Sequence, residues 1–388
     1  MSTSAVLNET ARVLKLVQGG QPADAALRET LGRTRHGSAP ALRRAVSQAV
    51  FATFRWWRWL DSQQSLQKQA AAALELQARF DRTPASFKAE ALAARAVPEW
   101  VKDEMDVPAD WLRQLQRPPV LWLRAKQNEA PNLPARLGDL TPAAPAATGV
   151  PHSACSVPPS AFRYTGTRDL FLTDEFRDGL FEIQDLASQL VGHACAPAPG
   201  QTWWDACAGE GGKTLHLSDL MQNKGMIWAS DRSVRRLDHL KKRAARAAMF
   251  NYRTAPWDGG AKLPTKTKFD GVLVDAPCSG VGTWQRNPHA RWTTSPDDVR
   301  ELAAVQQRLL DHAAPALKPG GRLVYAVCTL TRAETTAIAA TFTAAHPEFE
   351  PAPVFAGTPA ATPGTAQLFL WPHELDANGM FLAAWTKR

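Results

Sequence analysis

Apolar residues recur at helical spacing through the first 95 residues, a stretch dense in Ala, Leu, Arg and Gln with few Gly or Pro. This pattern is typical of amphipathic helices that bury one side in a shared core. We therefore predict an all-helical domain over residues 1–95. Its longest helix is expected to start after Pro40 and to end at Gln64. The apolar stripe of this helix consists of Val46, Val50, Phe54 and Trp57.

The end of this predicted helix carries arginines among tryptophans, and two interpretations are open. The cluster consists of Arg55, Trp56, Arg58 and Trp59. Aromatic rings can stack on single-stranded bases while arginines pair with phosphate. The same residues are more often an aromatic packing face with a solvated edge. We favour packing and keep RNA contact as the alternative.

Residues 96–195 mix helical and strand patterns. Two short helices are expected after Val97, and Val120–Arg124 alternates like a strand. The segment 130–160 is rich in Pro and Ala, yet an ordered pattern resumes at Phe162, too soon for a long linker. A helix is expected from Leu180 to Val191. We predict a helical and small α+β subdomain for this region.

From residue 196 onward, short apolar runs alternate with helical patterns. Strand and helix in turn predict a mostly parallel sheet with helices on both faces, a Rossmann-like α/β domain over residues 196–388. Ligands of such sheets bind at the carboxyl ends of the strands. The predicted strands lie within QTWWDAC, GMIWAS, YRTAPW, FDGVLVDA, GRLVYAVC and the closing FLWPHELDANGMFLAAW.

Composition places the 388-residue chain among ordinary globular proteins, with 45% hydrophobic and 21% charged residues. The net charge of +8 suits a polyanionic partner, but many metabolic enzymes reach it too. The sequence has no apolar run of roughly 18 residues, and its N-terminus lacks a basic head followed by an apolar stretch. We therefore expect a cytoplasmic protein without a membrane segment.

The five cysteines are sparse, odd in number and without a CxxC pair. A zinc site or a disulfide framework is therefore not expected, and no metal is predicted. We interpret them as free thiols of a reducing compartment. They are Cys155, Cys195, Cys207, Cys278 and Cys328.

A glycine-rich segment, Asp205–Thr214, follows the first strand of the predicted sheet. A nucleoside-triphosphate loop needs Gly where this sequence has Cys207, so that class is disfavoured. What remains is a strand, a turn and a helix N-terminus, whose free N–H groups favour a carboxylate or a phosphate. A purely structural tight turn is an equal alternative.

Two further acids follow the next predicted strands. Asp231 ends the second strand, where a doubly wound fold places an acid for ribose hydroxyls. A NAD-type or an adenosyl-type cofactor fits, although the absence of GxGxxG disfavours a dehydrogenase. Asp258 closes the third strand and could meet an adenine amine, or could be an ordinary surface residue.

The most informative segment is Asp275–Trp292, at the end of the fourth strand, with an acid, a cysteine and flexible loop positions together. Cys328, with Glu334 shortly after it, ends the fifth strand. Adjacent parallel strands would bring Cys278 and Cys328 to one cleft. A single buried cysteine is usually inert, but two at strand ends beside a cofactor loop favour chemistry.

Three segments, DACAGEGGKT, DAPCSGVGTWQRNPHARW and VYAVCTLTRAE, resemble in order and spacing the Sun-type (RsmB-like) RNA cytosine-5 methyltransferases. The resemblance begins near Val97, includes FEIQDLASQL as the helix before the cofactor domain, and extends to the closing PH and GMF. Residues 1–95 are more faintly similar to the NusB-like RNA-binding domain of the bacterial ribosomal RNA members.

The resemblance implies S-adenosyl-L-methionine as the cofactor and a cytosine in RNA, most simply 16S ribosomal RNA, as the substrate. It implies that Cys328 adds to carbon 6 of cytosine, that Asp275 bonds the cytosine edge and that Cys278 assists release. The implied cofactor residues are Cys207, Ala208, Gly209, Glu210, Gly211, Gly212, Lys213, Asp231, Asp258 and Asp275.

Basic residues near these motifs could hold RNA phosphate, although a solvated helix face is the simpler interpretation for those after Asp231. We expect an RNA partner and a monomer. The candidates are Arg286 and Arg291, and then Arg235, Arg236, Lys241, Lys242 and Arg243.

The sequence departs from the family pattern at three places. The usual Thr-Cys-Ser is Val327-Cys328-Thr329, the usual Asn-Glu is Ala333-Glu334, and the Pro of the cofactor loop is Glu210. No departure removes a group that bonds substrate. Two alternatives stay open, namely methylation of tRNA or another RNA, and a non-catalytic RNA-binding factor of ribosome assembly.

Overall fold

A computed structural model of the chain describes residues 3–32, 40–143, 158–355 and 365–388. Contacts divide the chain into two compact units, one from Met1–Pro119 with Thr283–Ser295, and one from Val120–Gly282 with Pro296–Arg388. Such units are defined by contacts and not by function, so the division into three domains at residues 95 and 195 stays a prediction. Cys155 and much of the segment 130–160 lie outside the described residues.

Among the residues that the structure describes, helices alternate with strands only in the second unit. In the part of the chain that the structure describes, no helix combines the length and the apolar surface that a bilayer crossing needs. In chain order the helices are α1 (Thr3–Gln18), α2 (Ala23–Gly32), α3 (Pro40–Arg55), α4 (Leu66–Arg82), α5 (Ala89–Arg95), α6 (Val101–Glu104), α7 (Ala109–Gln114), α8 (Leu133–Leu137), α9 (Asp174–Arg177), α10 (Leu186–Cys195), α11 (Gly212–Leu220), α12 (Val234–Arg246), α13 (Ala290–Thr293), α14 (Pro296–Ala313), α15 (Thr336–Ala345) and α16 (Pro372–Leu375).

The strands belong to two sheets, both within the second unit. They are β1 (Leu121–Ala125), β2 (Leu140–Pro142), β3 (Ala161–Tyr164), β4 (Phe181–Ile183), β5 (Thr202–Asp205), β6 (Met226–Ala229), β7 (Tyr252–Thr254), β8 (Phe269–Asp275), β9 (Leu317–Val327), β10 (Phe349–Pro351), β11 (Gln367–Leu370) and β12 (Met380–Lys387).

The first unit is helical and has a core that α1, α2 and α3 form with their apolar stripes. Val13, Val46 and Val50 are fully buried there, and Phe54 is almost so. The stripe predicted from the sequence therefore faces a core, as expected. Each fully buried aliphatic side chain of this kind contributes roughly 1.5–3 kcal/mol of transfer free energy.

The helix over the arginine and tryptophan cluster is shorter than predicted, since α3 ends at Arg55 and not at Gln64. Arg55 and Trp56 are buried, and both donate to Gln77 Oε1, at 2.8 Å and 3.1 Å. The chain then turns, and Ser65 caps α4 by accepting the Lys68 N–H. Tertiary packing thus overrides the helical periodicity, and Arg55 and Trp56 form a packing face.

Arg291 lies in the first unit as a fully buried cation, so the prediction that it holds RNA phosphate is wrong. Its guanidinium donates to the carbonyl oxygens of Ala96 at 3.0 Å and Leu115 at 2.9 Å, and more distantly to that of Arg55. Burial, and secondarily the charge of Arg55, lowers the pKa of Arg291 to about 9. The guanidinium therefore has a structural role: its hydrogen bonds connect residues 283–295 to the helical part of the first unit.

The smaller sheet of the second unit is antiparallel, in the order β2-β3-β1-β4. Here the helix expected from Leu180 to Val191 is wrong, because Phe181–Ile183 pairs with β1 and the helix starts only at Leu186. Asp185 caps this helix, accepting the Ala187 N–H at 3.0 Å. The register sets Arg124 beside Glu182, and a strand is the only conformation that allows this cross-strand pair.

The larger sheet has the order β10-β12-β9-β8-β5-β6-β7, with β11 beside β12. Its β9-β8-β5-β6-β7 part is parallel throughout, and β10, β11 and β12 are antiparallel. Neighbouring residues of β5 point to opposite faces, Trp203 to a cluster with α10–α12 and Trp204 to one with α14 and α15. The expectation of a mostly parallel sheet covered on both faces is confirmed.

Two histidines, His193 on α10 and His216 on α11, meet edge to face with ring centroids 5.1 Å apart. Gly192 lets the helices approach, since a Cβ there would lie 2.2 Å from the His216 ring. Burial, and secondarily the charge of Arg124, lowers the pKa of His193 to about 4 and that of His216 well below its ordinary value. Both rings are neutral in the folded protein at neutral pH.

We predict that Arg291→Met lowers the free energy of unfolding by roughly 2–4 kcal/mol, because buried carbonyl oxygens lose their donors. Denaturant unfolding monitored by tryptophan fluorescence measures this. Arg286→Met, at an exposed position of the same segment, should leave stability unchanged. Normal stability of Arg291→Met with weakened RNA binding would restore the phosphate role.

We also predict that acid destabilises the protein through the histidine pair. An unfolded histidine takes up a proton near pH 6.5, whereas these folded-state pKa values are depressed, so stability present above pH 6.5 is lost as the pH falls towards 4. The loss should amount to about 2 kcal/mol or more by denaturant titration. His216→Leu should flatten the profile and His239→Leu, at a partly exposed position, should not. Equal slopes in all three proteins would refute the assignment.

Candidate active site

The glycine-rich turn after β5 has a backbone conformation that favours glycine at two positions. Gly209 and Gly211 have positive φ values of 55° and 86°, and a Cβ on Gly211 would lie 2.6 Å from Leu240 Cγ. The turn leads into α11, whose N-terminus has no side-chain cap, and first-turn N–H groups without such a cap favour an anion.

Asp205, at the end of β5, is fully buried beneath this turn. Its Oδ2 accepts the Thr214 hydroxyl at 2.7 Å, and its Oδ1 has no hydrogen-bond partner within the described ranges. Burial raises the pKa of Asp205 to about 7. The carboxyl group therefore has one oxygen available to a bound donor or water.

Asp231, after β6, holds the turn from the neighbouring strand. Its carboxylate accepts the N–H groups of Gly209 at 3.0 Å and Ser233 at 2.8 Å, and it pairs with Arg236 at 3.1 Å. Asp231 is almost completely buried, whereas the Arg236 side chain is half-exposed. The acid is therefore fixed, and the exposed arginine can yield its place to a ligand.

The other residues predicted for the cofactor lie in different surroundings. Glu210 is exposed, with a carboxylate oxygen 3.4 Å from His239 Nδ1. Asp258 is exposed and accepts the Gly260 N–H at 2.9 Å, a local turn contact. Burial raises the pKa of Cys207 well above its ordinary value, so its thiol stays protonated.

Asp275, the last residue of β8, forms an ion pair with Lys213 at the start of α11, at 2.7 Å. Burial acts to lower the pKa of Lys213, but the charge and hydrogen bond of Asp275 outweigh it and raise that pKa. Lys213 thus stays charged and holds the Asp275 carboxylate beside the glycine-rich turn.

The structure brings the two cysteines together at the carboxyl ends of β8 and β9. Cys278 Sγ lies 3.3 Å from Cys328 Sγ, and the Gly282 N–H donates to the Cys328 carbonyl oxygen at 3.1 Å. The hydrogen bond to Cys328, together with burial and the nearby charge of Glu334, raises the pKa of Cys278 well above its ordinary value. The raised pKa keeps the Cys278 thiol protonated at neutral pH.

Glu334 is a residue of the candidate site that the sequence analysis left without a role. It is fully buried, and its carboxylate accepts hydrogen bonds from Ser279, Thr329 and Thr331, the hydroxyl residues that follow the two cysteines. The signal in the sequence is this recurrence of hydroxyl residues after each cysteine.

The basic residues after Asp231 are mostly paired within the second unit. Arg236 pairs with Asp231, Lys241 with Asp238, and Arg243 with Glu182. Arg235 and Lys242 are exposed on α12. The described residues contain no group of three or more His, Cys, Asp or Glu side chains arranged to hold a metal ion.

A mostly parallel sheet of this strand order, with a glycine-rich turn after β5 and a buried acid after β6, defines the second unit as a Rossmann-like methyltransferase fold. A family model described as 16S rRNA methyltransferase RsmB/F matches residues 193–386, half of the chain. The chain therefore belongs to this family, and its resemblance to the Sun-type, RsmB-like proteins is confirmed.

Individual relatives agree with this assignment. The chain is 35% identical over 224 residues to "Probable ribosomal RNA small subunit methyltransferase B" of Bacillus subtilis, covering 56% of this chain and 50% of that protein. It is 37% identical over 221 residues to "Ribosomal RNA small subunit methyltransferase F" of Escherichia fergusonii, covering 54% and 46%. The chain thus spans about half the length of the curated relatives that it matches.

One solved structure is similar along the whole chain. The crystal structure of PH0851 has a TM-score of 0.74 at 22% sequence identity, covering 100% of this chain and 99% of that one. At this identity the likeness concerns the fold. It extends to the helical N-terminal region as well as to the methyltransferase fold.

Proposed function

We propose that this protein transfers a methyl group from S-adenosyl-L-methionine to carbon 5 of a cytosine in 16S ribosomal RNA, through a covalent adduct with Cys328. The observation that carries the proposal is the contact of two thiols, 3.3 Å apart, in the segments that directly follow the strand ending in Asp275 and its parallel neighbour. The names of the relatives support a small-subunit ribosomal RNA as the substrate.

The residues at the glycine-rich turn fit the proposed cofactor. Asp205 Oδ1 is a buried acceptor without a partner, which suits the ammonium group of a bound methionine portion. Asp231 is a fixed buried carboxylate that suits ribose hydroxyls, and the turn from Cys207 to Lys213 would line the amino-acid portion. The cofactor would supply an electrophilic methyl group.

A cysteine is needed because carbon 5 of cytosine is too weak a nucleophile to take a methyl group unaided. Addition of the Cys328 thiolate to carbon 6 moves electron density to carbon 5, which can then attack the methyl group. A thiolate suits this step because it is a strong nucleophile and can also leave again. The target base must be single-stranded or flipped out, since both ring carbons react.

Asp275 would orient the base during this addition. Its carboxylate is held at 2.7 Å by Lys213 and can still accept a hydrogen bond from the exocyclic amine or a protonated ring nitrogen of cytosine. An acceptor fixed in advance stabilises the charge that develops on the ring without reorganisation.

Cys278 would complete the cycle by assisting removal of the carbon 5 proton. Its pKa is raised chiefly by its hydrogen bond to Cys328, with burial and the Cys328 charge adding to this. Once Cys328 is bonded to carbon 6, its sulfur is no longer a thiolate. It therefore carries no charge and is no longer a strong hydrogen-bond acceptor for Cys278. Cys278 can then lose its proton to solvent and, as a thiolate, take the proton from carbon 5. The bond between Cys328 and carbon 6 breaks at this point and returns Cys328 as a thiolate.

The departures from the family pattern are compatible with activity. Thr329 keeps a hydroxyl that donates to Glu334 at 3.0 Å, as the usual serine could, and Glu334 itself is retained. This network supports catalysis over the alternative of a non-catalytic assembly factor. Methylation of tRNA or another RNA is separated from the ribosomal substrate by the RNA used in the experiment below.

We predict opposite behaviour of the two cysteine variants with a 16S ribosomal RNA transcript and S-adenosyl-L-methionine. Cys328→Ala should lose methyl transfer while folding normally. Cys278→Ala should form a protein–RNA adduct that survives denaturing electrophoresis and is absent from the double variant, because release stalls after attack. Cys195→Ala, at a buried cysteine of α10 that is not a member of the pair, should turn over normally.

Three outcomes of this experiment would change the proposal. An adduct in Cys328→Ala and none in Cys278→Ala would reverse the two roles. Normal turnover in both would exclude a covalent mechanism. An adduct that forms only with a tRNA pool and not with the 16S transcript would keep the chemistry and change the substrate.

We predict that Asp231→Ala weakens S-adenosyl-L-methionine binding by roughly 10- to 100-fold, since a charge-assisted hydrogen bond is worth about 1.5–3 kcal/mol. Isothermal titration calorimetry measures this affinity. Asp238→Ala, an exposed acid on α12, is the matched control and should bind normally. Unchanged affinity in Asp231→Ala would remove this residue from the cofactor site.

A further inference from the structure

Glu334 connects the chain segments that carry the two thiols. It ends a short 3₁₀ turn, Arg332–Glu334, and is completely buried. Its Oε1 accepts the Ser279 N–H at 2.8 Å, and its Oε2 accepts the Ser279 hydroxyl together with those of Thr329 at 3.0 Å and Thr331 at 2.8 Å. One side chain thus bonds the residue directly after each cysteine.

A second side chain, Gln306 of α14, extends this network to the residue before Cys278. Its Nε2 donates to Glu334 Oε1 at 3.0 Å and to the Pro277 carbonyl oxygen at 2.9 Å. Tyr325 in β9 donates in turn to Gln306 Oε1 at 2.9 Å and to the Glu334 carbonyl oxygen at 2.7 Å. Cys278 is therefore held through both of its chain neighbours.

The Glu334 carboxylate is fully satisfied in the interior. A buried carboxylate is costly unless its lone pairs are satisfied, and here five hydrogen bonds satisfy them. Two of these bonds come from Ser279 and Gln306 adds a link to Pro277, whereas Thr329 supplies one, so the carboxylate is tied more closely to the Cys278 segment. A carboxylate so placed opposes ionisation of Cys278, in agreement with the raised pKa of that thiol.

We infer that Glu334 is a positioning residue that acts through the thiol pair: it fixes the contact of Cys278 with Cys328 and sets its carboxylate against the Cys278 segment, which leaves Cys328 as the more reactive thiol. The catalytic significance of this role rests on the proposed covalent methyl transfer. The difference in reactivity between the two thiols does not depend on that function, so it can be tested without RNA or cofactor.

The test is alkylation of the full-length protein by iodoacetamide between pH 6 and pH 10, with the modified cysteines quantified by mass spectrometry. In the wild type, Cys328 should react faster than Cys278. Glu334→Gln keeps the shape of the side chain but removes the charge. It also replaces one carboxylate oxygen by an amide nitrogen, which cannot accept hydrogen bonds from the surrounding donors. It should reduce the ratio of the two rates about tenfold, corresponding to roughly one pKa unit, and should shift Cys278 alkylation to lower pH.

Two further variants separate positioning from folding. Glu334→Asp keeps the charge and should restore part of the ratio. Glu182→Gln removes another buried carboxylate, one that pairs with Arg243 and Arg246 in the same unit, and should leave the ratio unchanged despite any loss of stability. If Glu334→Gln does not fold, Thr329→Val serves as the second variant: it keeps the charge of Glu334 and removes one donor that offsets this charge, so the ratio should rise and not fall.

The outcomes distinguish the two proposals. An unchanged alkylation ratio in folded Glu334→Gln, or an equal change in Glu182→Gln, would overturn the positioning role. Failure of Cys278→Ala to form an RNA adduct while Glu334→Gln still alters the ratio would overturn the covalent function and leave the positioning role intact.

Discussion

The parallel pairing of β8 with β9 is the constraint on which the candidate site depends. The register sets Asp275 beside Ala326, so the two chains leave the sheet side by side and carry Cys278 and Cys328 into contact. A shift of one residue would turn each side chain to the other face of the sheet and separate the thiols. On its other edge β9 pairs along its length with β12, which fixes the strand from both sides.

Buried charge then fixes the loops that the sheet brings together. Asp231 holds the glycine-rich turn through the Gly209 N–H, and Lys213 holds Asp275. Buried Arg124 joins the small sheet to α11 through Asp219, at 2.8 Å. Each charge is satisfied by an ion pair or by several hydrogen bonds, so removing one partner leaves a costly unpaired group. The buried charged side chains thus fix the positions of the backbone segments that they contact.

The parallel sheet and the thiol pair could be predicted from the sequence because they depend on local patterns and on the order of strands. Three features could not. The strand Phe181–Ile183 is determined by its cross-strand partners in β1, which local periodicity does not encode. Arg291 sits in a motif next to the site, but the carbonyl oxygens that bury it come from distant helices. The role of Glu334 depends on hydroxyl groups from two separate segments.

The central claim is that a thiolate on this sheet edge makes 5-methylcytosine in ribosomal RNA. Bisulfite sequencing of 16S ribosomal RNA tests it most directly, using cells that lack the protein and the same cells complemented with the wild type or with Cys328→Ala. The account predicts one cytosine that is unmethylated without the protein, methylated with the wild type and unmethylated with the variant. The account would be contradicted if cells without the protein kept every 5-methylcytosine that the complemented cells have in 16S ribosomal RNA. Restoration of the missing methylation by Cys328→Ala would also contradict it.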